Sequence, residues 1–486
     1  MAVRRSLVFY LAVLFLFGSG IYAILGFGSR LKTDAPVPAI AAPAASAQPE
    51  GAQAPAGGLA RSLAENFQHP LSILLLQVIV IVAAARGLGR VFARIGQPPV
   101  IGEMLAGIFL GPSLLGMLAP GAQAFLFPAS SMDPLKLLSQ VGVILFMFVV
   151  GLELDIQHLR QKAHAAVLVS HVSILVPFFL GSVCALLLYG SLAPAGIPFS
   201  AFALFIGVAM SITAFPVLAR IIEERRMSRS VLGNTAIACA AVDDVTAWCM
   251  LAMVVAIVKA NGMGGAVLTI TLSLLFIAAM LFVVRPRMAR LIKDESPDQP
   301  RSTGFLAAIF LFVVVSALIT EAIGIHALFG AFLAGVCMPQ DSSLRKFLRE
   351  RLESFSSVLL LPLFFAFTGL RTQVGLLNDR WSWLVCLGII ALAITGKLVG
   401  SMLAARWTGM SWADSFGLGA LMNTRGLVEL IVLNLGYDLG VLSPKIFAML
   451  VLMALITTFM TGPLLNVRAW LQRKEEVVVA DGSVAA

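Results

Sequence analysis

Residues 232–258 read LGNTAIACAAVDDVTAWCMLAMVVAIV, an apolar run with Asp243 and Asp244 side by side at its centre. A run of roughly 20 apolar residues is long enough to cross a ~30 Å hydrocarbon core as a helix. Insertion scales put each central acid at about 2.5–3.5 kcal/mol. Two together require compensation by a cation, a proton or a buried basic partner.

Similar stretches recur along the 486 residues, of which 59% are hydrophobic and 12% charged, with a mean hydropathy of +0.96. A soluble chain carries about 25% charged residues. The sequence therefore reads as an all-α polytopic membrane protein. One N-terminal helix over about 6–28 precedes thirteen core helices centred near residues 82, 108, 144, 176, 210, 244, 274, 312, 331, 364, 392, 423 and 455.

The net charge of +9 follows this topology. With a cytoplasmic N-terminus, most Lys and Arg fall in cytoplasmic segments, among them Arg86, Arg90, Arg94, Arg220, Arg225, Arg226, the 285–301 loop and 345–351. That is the positive-inside signature. It assigns the basicity to the lipid bilayer and excludes nucleic acid as a partner. Both termini are expected in the cytoplasm, in a bacterial-type inner or plasma membrane. Cys184, Cys239, Cys249, Cys337 and Cys386 fall in expected helices without CxxC spacing, and read as buried apolar thiols.

Residues 1–32 read as a signal-anchor or signal-like transmembrane helix: the apolar run exceeds the ~7–15 residues of a cleaved h-region, while Ala45-Ser46-Ala47 resembles a cleavage site well beyond it. Residues 33–68, rich in Ala, Pro and Gly, read as an extracytoplasmic linker. The membrane domain spans 69–470. Residues 471–486 read as a short cytoplasmic tail, so a regulatory domain would be supplied by a separate subunit.

Two core helices are interrupted. In the fifth, Ser211-Ile212-Thr213-Ala214-Phe215-Pro216 places a proline mid-membrane, where its missing N–H and ring clash break the helix. In the twelfth, Asn423-Thr424-Arg425-Gly426 lies at similar depth. Irregular backbone there must be buried in protein or line a wet cavity. The two broken helices are seven apart in chain order, an odd offset, so one runs inward and the other outward. That pattern points to an inverted-repeat transporter with its site at the midplane.

Successive helical residues point about 100° apart, so Asp243 and Asp244 face different neighbours. The other deep ionisable groups are Lys397, Arg425 and Glu429. Lys397 lies among small residues that permit close helix approach. One aspartate can hold Lys397 charged and leave the other for a cation or proton. Arg425 and Glu429, at i and i+4, can satisfy one another. Thr213, beside Pro216, is a candidate ligand. Glu103, Glu153 and Asp155 are expected at solvated cytoplasmic helix ends. His158, His164 and His171 gather near that face, and His326 opens a helix as a cap or packing residue. No catalytic residue and no cofactor are expected.

Seven segments in order resemble one family. They are Gln97-Pro98-Pro99-Val100-Ile101-Gly102-Glu103 with Leu110-Gly111-Pro112-Ser113; Phe148-Val149-Val150-Gly151-Leu152-Glu153-Leu154-Asp155; Ser211 through Arg220; and Val242-Asp243-Asp244-Val245-Thr246-Ala247-Trp248. Next come Ile325 through Gly335; Gly396-Lys397; and Met422-Asn423-Thr424-Arg425-Gly426-Leu427-Val428-Glu429-Leu430. Together they resemble the second family of monovalent cation:proton antiporters, with its Kef-type, NapA-type and plant cation/H+ exchanger branches.

The resemblance implies a core domain with two crossing, unwound helices, a separate dimerisation domain and a homodimer. It implies that Asp244 is the carboxylate shared by cation and proton, that Asp243 partners Lys397, and that the Thr213 backbone helps hold the ion. Paired aspartates suit members regarded as electrogenic, whereas the segments around Pro216 and Arg425 are nearer the plant branch, with K+ among its ions. Na+ or K+, and the stoichiometry, stay open.

The expected function is secondary active antiport of Na+ or K+ against H+ by alternating access. A symporter or organic-anion carrier of the same fold would rest on Arg425 alone. An intramembrane aspartyl protease would need its acids on separate helices and a Gly-x-Gly-Asp segment, although Tyr437-Asp438 echoes the other half-motif. A voltage-driven channel would need an arginine-rich sensor or a filter-like loop.

Overall fold

The computed structural model describes residues 2–31, 69–153, 163–228, 230–259, 263–293, 303–339 and 341–484. The expected linker therefore lies outside the described residues, as do Asp155 and His158. Among the described residues twelve helices are long and apolar enough to span a membrane, or thirteen counting the bent pair Trp412–Met422 and Leu427–Asp438.

The principal helices are α1 (Ala2–Gly28), α2 (Pro70–Arg94), α3 (Pro99–Leu110), α4 (Met132–Glu153), α5 (Ala163–Leu192), α6 (Phe199–Ser211), α7 (Phe215–Glu224), α8 (Val231–Lys259) and α9 (Met263–Ala278). They continue as α10 (Thr303–Ile323), α11 (Ala327–Val336), α12 (Ser342–Phe355), α13 (Leu361–Arg371), α14 (Arg380–Ile394), α15 (Gly400–Trp407), α16 (Trp412–Met422), α17 (Leu427–Asp438) and α18 (Pro444–Val484).

Twelve of the thirteen expected core centres fall in these helices and the one near 423 falls at the break between α16 and α17, but the ninth core helix is shorter than a span. Its helix, α11, has 10 residues, about 15 Å at 1.5 Å per residue. The chain is still turning at Gly324 (φ 99°) and His326 (φ 89°), so α11 starts late. The His326 ring accepts the Leu328 N–H at 3.4 Å and caps it. At the C-terminal end α18 runs unbroken to Val484, past the expected boundary at 470.

The helices form two bundles. α2, α3, α4 and α10 to α13 pack chiefly on one another, a scaffold. α5 to α8 pack with α14 to α18, and α1 lies against α5 and α6. Phe17 of α1 meets Phe179 of α5 edge-on at 5.3 Å. Within the scaffold the α4–α11 contact needs glycine: a Cβ on Gly151 would stand 2.1 Å from the Phe332 carbonyl oxygen. That requirement explains why small residues recur in both sequence segments. Contacts between bundles are sparse, and include Trp248 of α8 stacked on Phe332 of α11.

Candidate ion-exchange site

The two interrupted spans cross at their breaks. α6 stops at Ser211, Ile212 and Ala214 are extended, and Pro216 sits in the first turn of α7. The second span unwinds over 423–426 between α16 and α17. The Ala214 N–H donates to the Thr424 carbonyl at 3.0 Å. The Thr213 hydroxyl reaches the Met422 carbonyl at 2.9 Å. Gly426 allows this approach, because a Cβ there would lie 2.7 Å from Val217 Cγ2.

Three carbonyls at the end of α6 each meet a cation. Arg425 donates from Nη1 to Ala209 O at 2.6 Å and from Nη2 to Met210 O at 2.7 Å. Lys397 Nζ donates to Ser211 O at 2.5 Å. Unpaired carbonyls and the negative end of a helix dipole both favour cations at this place. Glu429 Oε1 is 3.2 Å from Arg425 Nη1, but among the described residues neither of its oxygens completes a hydrogen bond. The expectation that Arg425 and Glu429 satisfy one another is thus half correct. The arginine spends its directional bonds on backbone and offers Glu429 charge alone.

The adjacent aspartates have opposite surroundings. Asp243 Oδ2 accepts from Lys397 Nζ at 2.9 Å, Thr213 Oγ1 at 2.7 Å and Ser173 Oγ at 3.0 Å. Its Oδ1 accepts from Ser170 Oγ at 2.5 Å. Lys397 lies in a π-helical turn, Thr395–Val399, and also donates to Ser173 O at 2.9 Å. Asp244 is 1% exposed, and among the described residues neither of its oxygens has a hydrogen-bond partner. The Phe215 N–H, in the first turn of α7, approaches it. Thr213, Asp243, Lys397, Asn423, Thr424, Arg425 and Glu429 are all fully buried. Among the described residues Asn423 Oδ1 is a further buried oxygen without a partner. Thr424 Oγ1 lies 3.2 Å from Thr461 Oγ1.

A cavity of about 1100 Å³ runs between the bundles to this region. Its inner wall includes Phe215, Pro216 and Leu427, and its mouth Arg86, Arg90, Arg220, Glu223 and Arg349. Glu103 corrects the sequence reading: it is 8% exposed within α3 and faces this cavity, not an open helix end. Glu153 pairs with Arg349 at 3.3 Å. His171 Nδ1 lies 2.8 Å from Val167 O, and the side chain of His164 is outside the description. Cys249 is exposed and Cys337 lies just past α11, so not all five thiols are buried within helices.

The sequence reading missed Ser170, Ser173 and Ser211. The first two stand one turn apart on α5, a polar i, i+3 pair that could have been counted. Ser211 bonds Gly207 O at 2.6 Å and gives no such signal.

The family model of the transmembrane sodium/hydrogen exchangers matches residues 78–467. The chain belongs to the sodium/hydrogen exchanger family. Members are transporters rather than enzymes, and cation/proton antiport by alternating access is the activity that membership carries. This exchanger is 46% identical over 397 residues to "Na(+)/H(+) antiporter NhaS4" of Synechocystis sp., covering 82% of this chain and 97% of the relative. It is 35% identical over 409 residues to "K(+)/H(+) antiporter 1" of Saccharomyces cerevisiae. There the match covers 82% of this chain but 46% of the yeast protein, so the exchanger spans about half of that relative. Its fold is similar to that of the sodium proton antiporter MjNhaP1 from Methanocaldococcus jannaschii. The TM-score is 0.57 at 16% identity, covering 83% of this chain and 97% of that one.

Proposed function

We propose that Asp244 is the exchange site, taking up either a proton or one Na+ or K+ but not both. The supporting observation is its isolation. A buried ionised carboxylate without hydrogen bonds costs several kcal/mol, so Asp244 has to hold a counter-ion or a proton at each stage of the cycle. Competition for that one group couples the two flows. Thr213 and Asn423 Oδ1 supply the oxygen ligands a hard cation prefers. Asp243, fixed by two serines, Thr213 and Lys397, serves as counter-charge. Pro216, Thr424, Arg425 and Glu429 hold the crossed backbone in place.

The cavity mouth carries the cationic side chains that the positive-inside rule assigns to the cytoplasm. The reading therefore has the site facing inward in an inner or plasma membrane. The broken-helix bundle moves against the scaffold to alternate access, and the scaffold pairs two copies in a homodimer. The organic-anion alternative loses its support, because both Nη groups of Arg425 are engaged by backbone carbonyls. The protease alternative needs two acids sharing a proton, whereas Asp243 is committed to Lys397.

Proteoliposomes with a trapped pH dye test the assignment. Asp244→Asn is expected to abolish proton movement driven by Na+ or K+ while the protein stays folded. Cation-driven proton flux persisting at the parental rate in that variant would overturn it.

A further inference from the structure

The cavity and a cluster of charges occupy opposite ends of the same three helices. The cavity touches Val149 and Glu153 on α4, Leu361 and Phe365 on α13, and Leu427 on α17. The other ends carry Lys136, Arg371 and Asp438. At 1.5 Å per residue, Lys136 and Val149 are about 20 Å apart along α4, and Leu427 and Asp438 about 16 Å along α17. The two features therefore mark the two faces of the protein.

At the face away from the cavity, Asp438 sits between two cations. Lys136 Nζ is 2.9 Å from its Oδ2, and Arg371 Nη2 donates to its Oδ1. Arg371 Nη1 donates to Asn434 Oδ1 at 3.0 Å, and Asn434 Nδ2 donates to Thr368 Oγ1 at 2.8 Å. The guanidinium lies 4.4 Å from the centre of the Tyr437 ring and 5.2 Å from that of Phe367. Lys136, Thr368, Phe367 and Arg371 belong to the scaffold. Asp438, Asn434 and Tyr437 belong to α17, which continues the broken span that carries Arg425. Every one of these cross-bundle contacts would be lost if the bundles parted at this face.

We propose that Lys136, Arg371 and Asp438 form a latch that keeps this face closed while the cavity face is open. The inference deepens the exchange reading and rests on its alternating access. It names residues that touch neither ion yet set which face the site can open to. The side chains of Arg371, Asp438 and Lys136 are 14%, 22% and 31% exposed. All three charges can rehydrate when the seam opens, so the latch biases the equilibrium without locking it, as a cycling exchanger requires. The stacked guanidinium gives it a defined geometry that a lone surface pair lacks.

The test uses the reconstituted full chain, with Cys249→Ser to remove the exposed thiol, and two reporters for a membrane-impermeant maleimide. Thr368→Cys reports the latched seam and Ala219→Cys the cavity. Adding Asp438→Asn is expected to raise labelling of the seam reporter roughly three- to tenfold and to lower labelling of the cavity reporter, the range of a partly exposed charge network. Lys136→Met should move both in the same directions by less. Misfolding would raise both reporters together, so opposed changes identify the latch. Neither reporter moving, or both rising, in Asp438→Asn and Lys136→Met alike would overturn it. Asp244→Asn in the same assay keeps the two readings separable: it removes exchange if the ion-site reading holds, whereas the reporter shifts need no bound ion.

Discussion

The Asp243–Lys397 and Arg425–Glu429 pairs are both fully buried, and both cations reach the last turn of α6. They differ in what the acid receives. Asp243 collects hydrogen bonds from two serines, a threonine and the lysine, whereas among the described residues Glu429 completes none. Arg425 bonds two carbonyls across the crossing and donates its backbone N–H to Thr458 Oγ1 at 3.0 Å, so it stitches one break to the other. Lys397 stitches too, but its carboxylate partner stands next to Asp244, which among the described residues is approached only by the Phe215 N–H. Equal burial and equal charge thus leave the two acids in different surroundings, and under the proposed exchange site one pair is structural and the other lies beside the chemistry. The surrounding donors decide which.

The widest separation between the pairs should come from Arg425→Met. It strips two carbonyls and an acid of their cation in one step, a loss of about 3–5 kcal/mol for a broken buried pair. Thermal unfolding in detergent should show a far larger drop than for Glu429→Gln. Equal drops would mean that Glu429, not the carbonyls, is the arginine's main partner.

A smaller effect is expected at Thr213, whose single hydroxyl proton serves either Asp243 Oδ2 or Met422 O. Thr213→Val keeps the shape and removes about 1 kcal/mol of polar interaction, roughly a fivefold rise in the cation KM. A change in thermal stability with no change in KM would move Thr213 from the exchange region to the structural one.

The smallest effect lies outside the membrane, and serves as a baseline for both pairs. Asp379 caps α14, and the hydroxyl and N–H of Ser382 hold its carboxyl below the usual value. A depressed folded value adds stability above the unfolded value of about 4, which is lost as pH falls through the folded one. Asp379→Ala should therefore lower the unfolding midpoint slightly at neutral pH, with the difference closing at acid pH. A gap that widened on acidification would contradict the cap.

The charged half of this picture was legible in the sequence because charges are rare in apolar runs. Asp243, Asp244, Lys397, Arg425 and Glu429 each stand out in a spanning stretch, and Pro216 and Gly426 mark the breaks. The hydroxyl half was not. A serine in an apolar helix usually bonds its own preceding turn, so Ser170 taken alone looks like Ser182, which bonds Phe178 O at 3.0 Å, and only its i, i+3 spacing from Ser173 sets it apart. Glu103 was placed at a solvated cytoplasmic helix end, whereas the cavity that reaches it is made by distant segments of chain. The short α11 was hidden because hydropathy counts apolar residues and not the turns at Gly324 and His326 that delay the helix.

The central claim is that cation and proton compete for the Asp244 carboxyl. The most direct measurement is the cation KM in proteoliposomes as a function of pH. One proton displaced per cation at a shared site predicts that KM rises about tenfold for each unit of acidification below the value at which the site protonates, with the maximal rate recoverable at high cation. A KM that stays flat across that range while the maximal rate falls would show that proton and cation bind at separate groups, and would contradict the account.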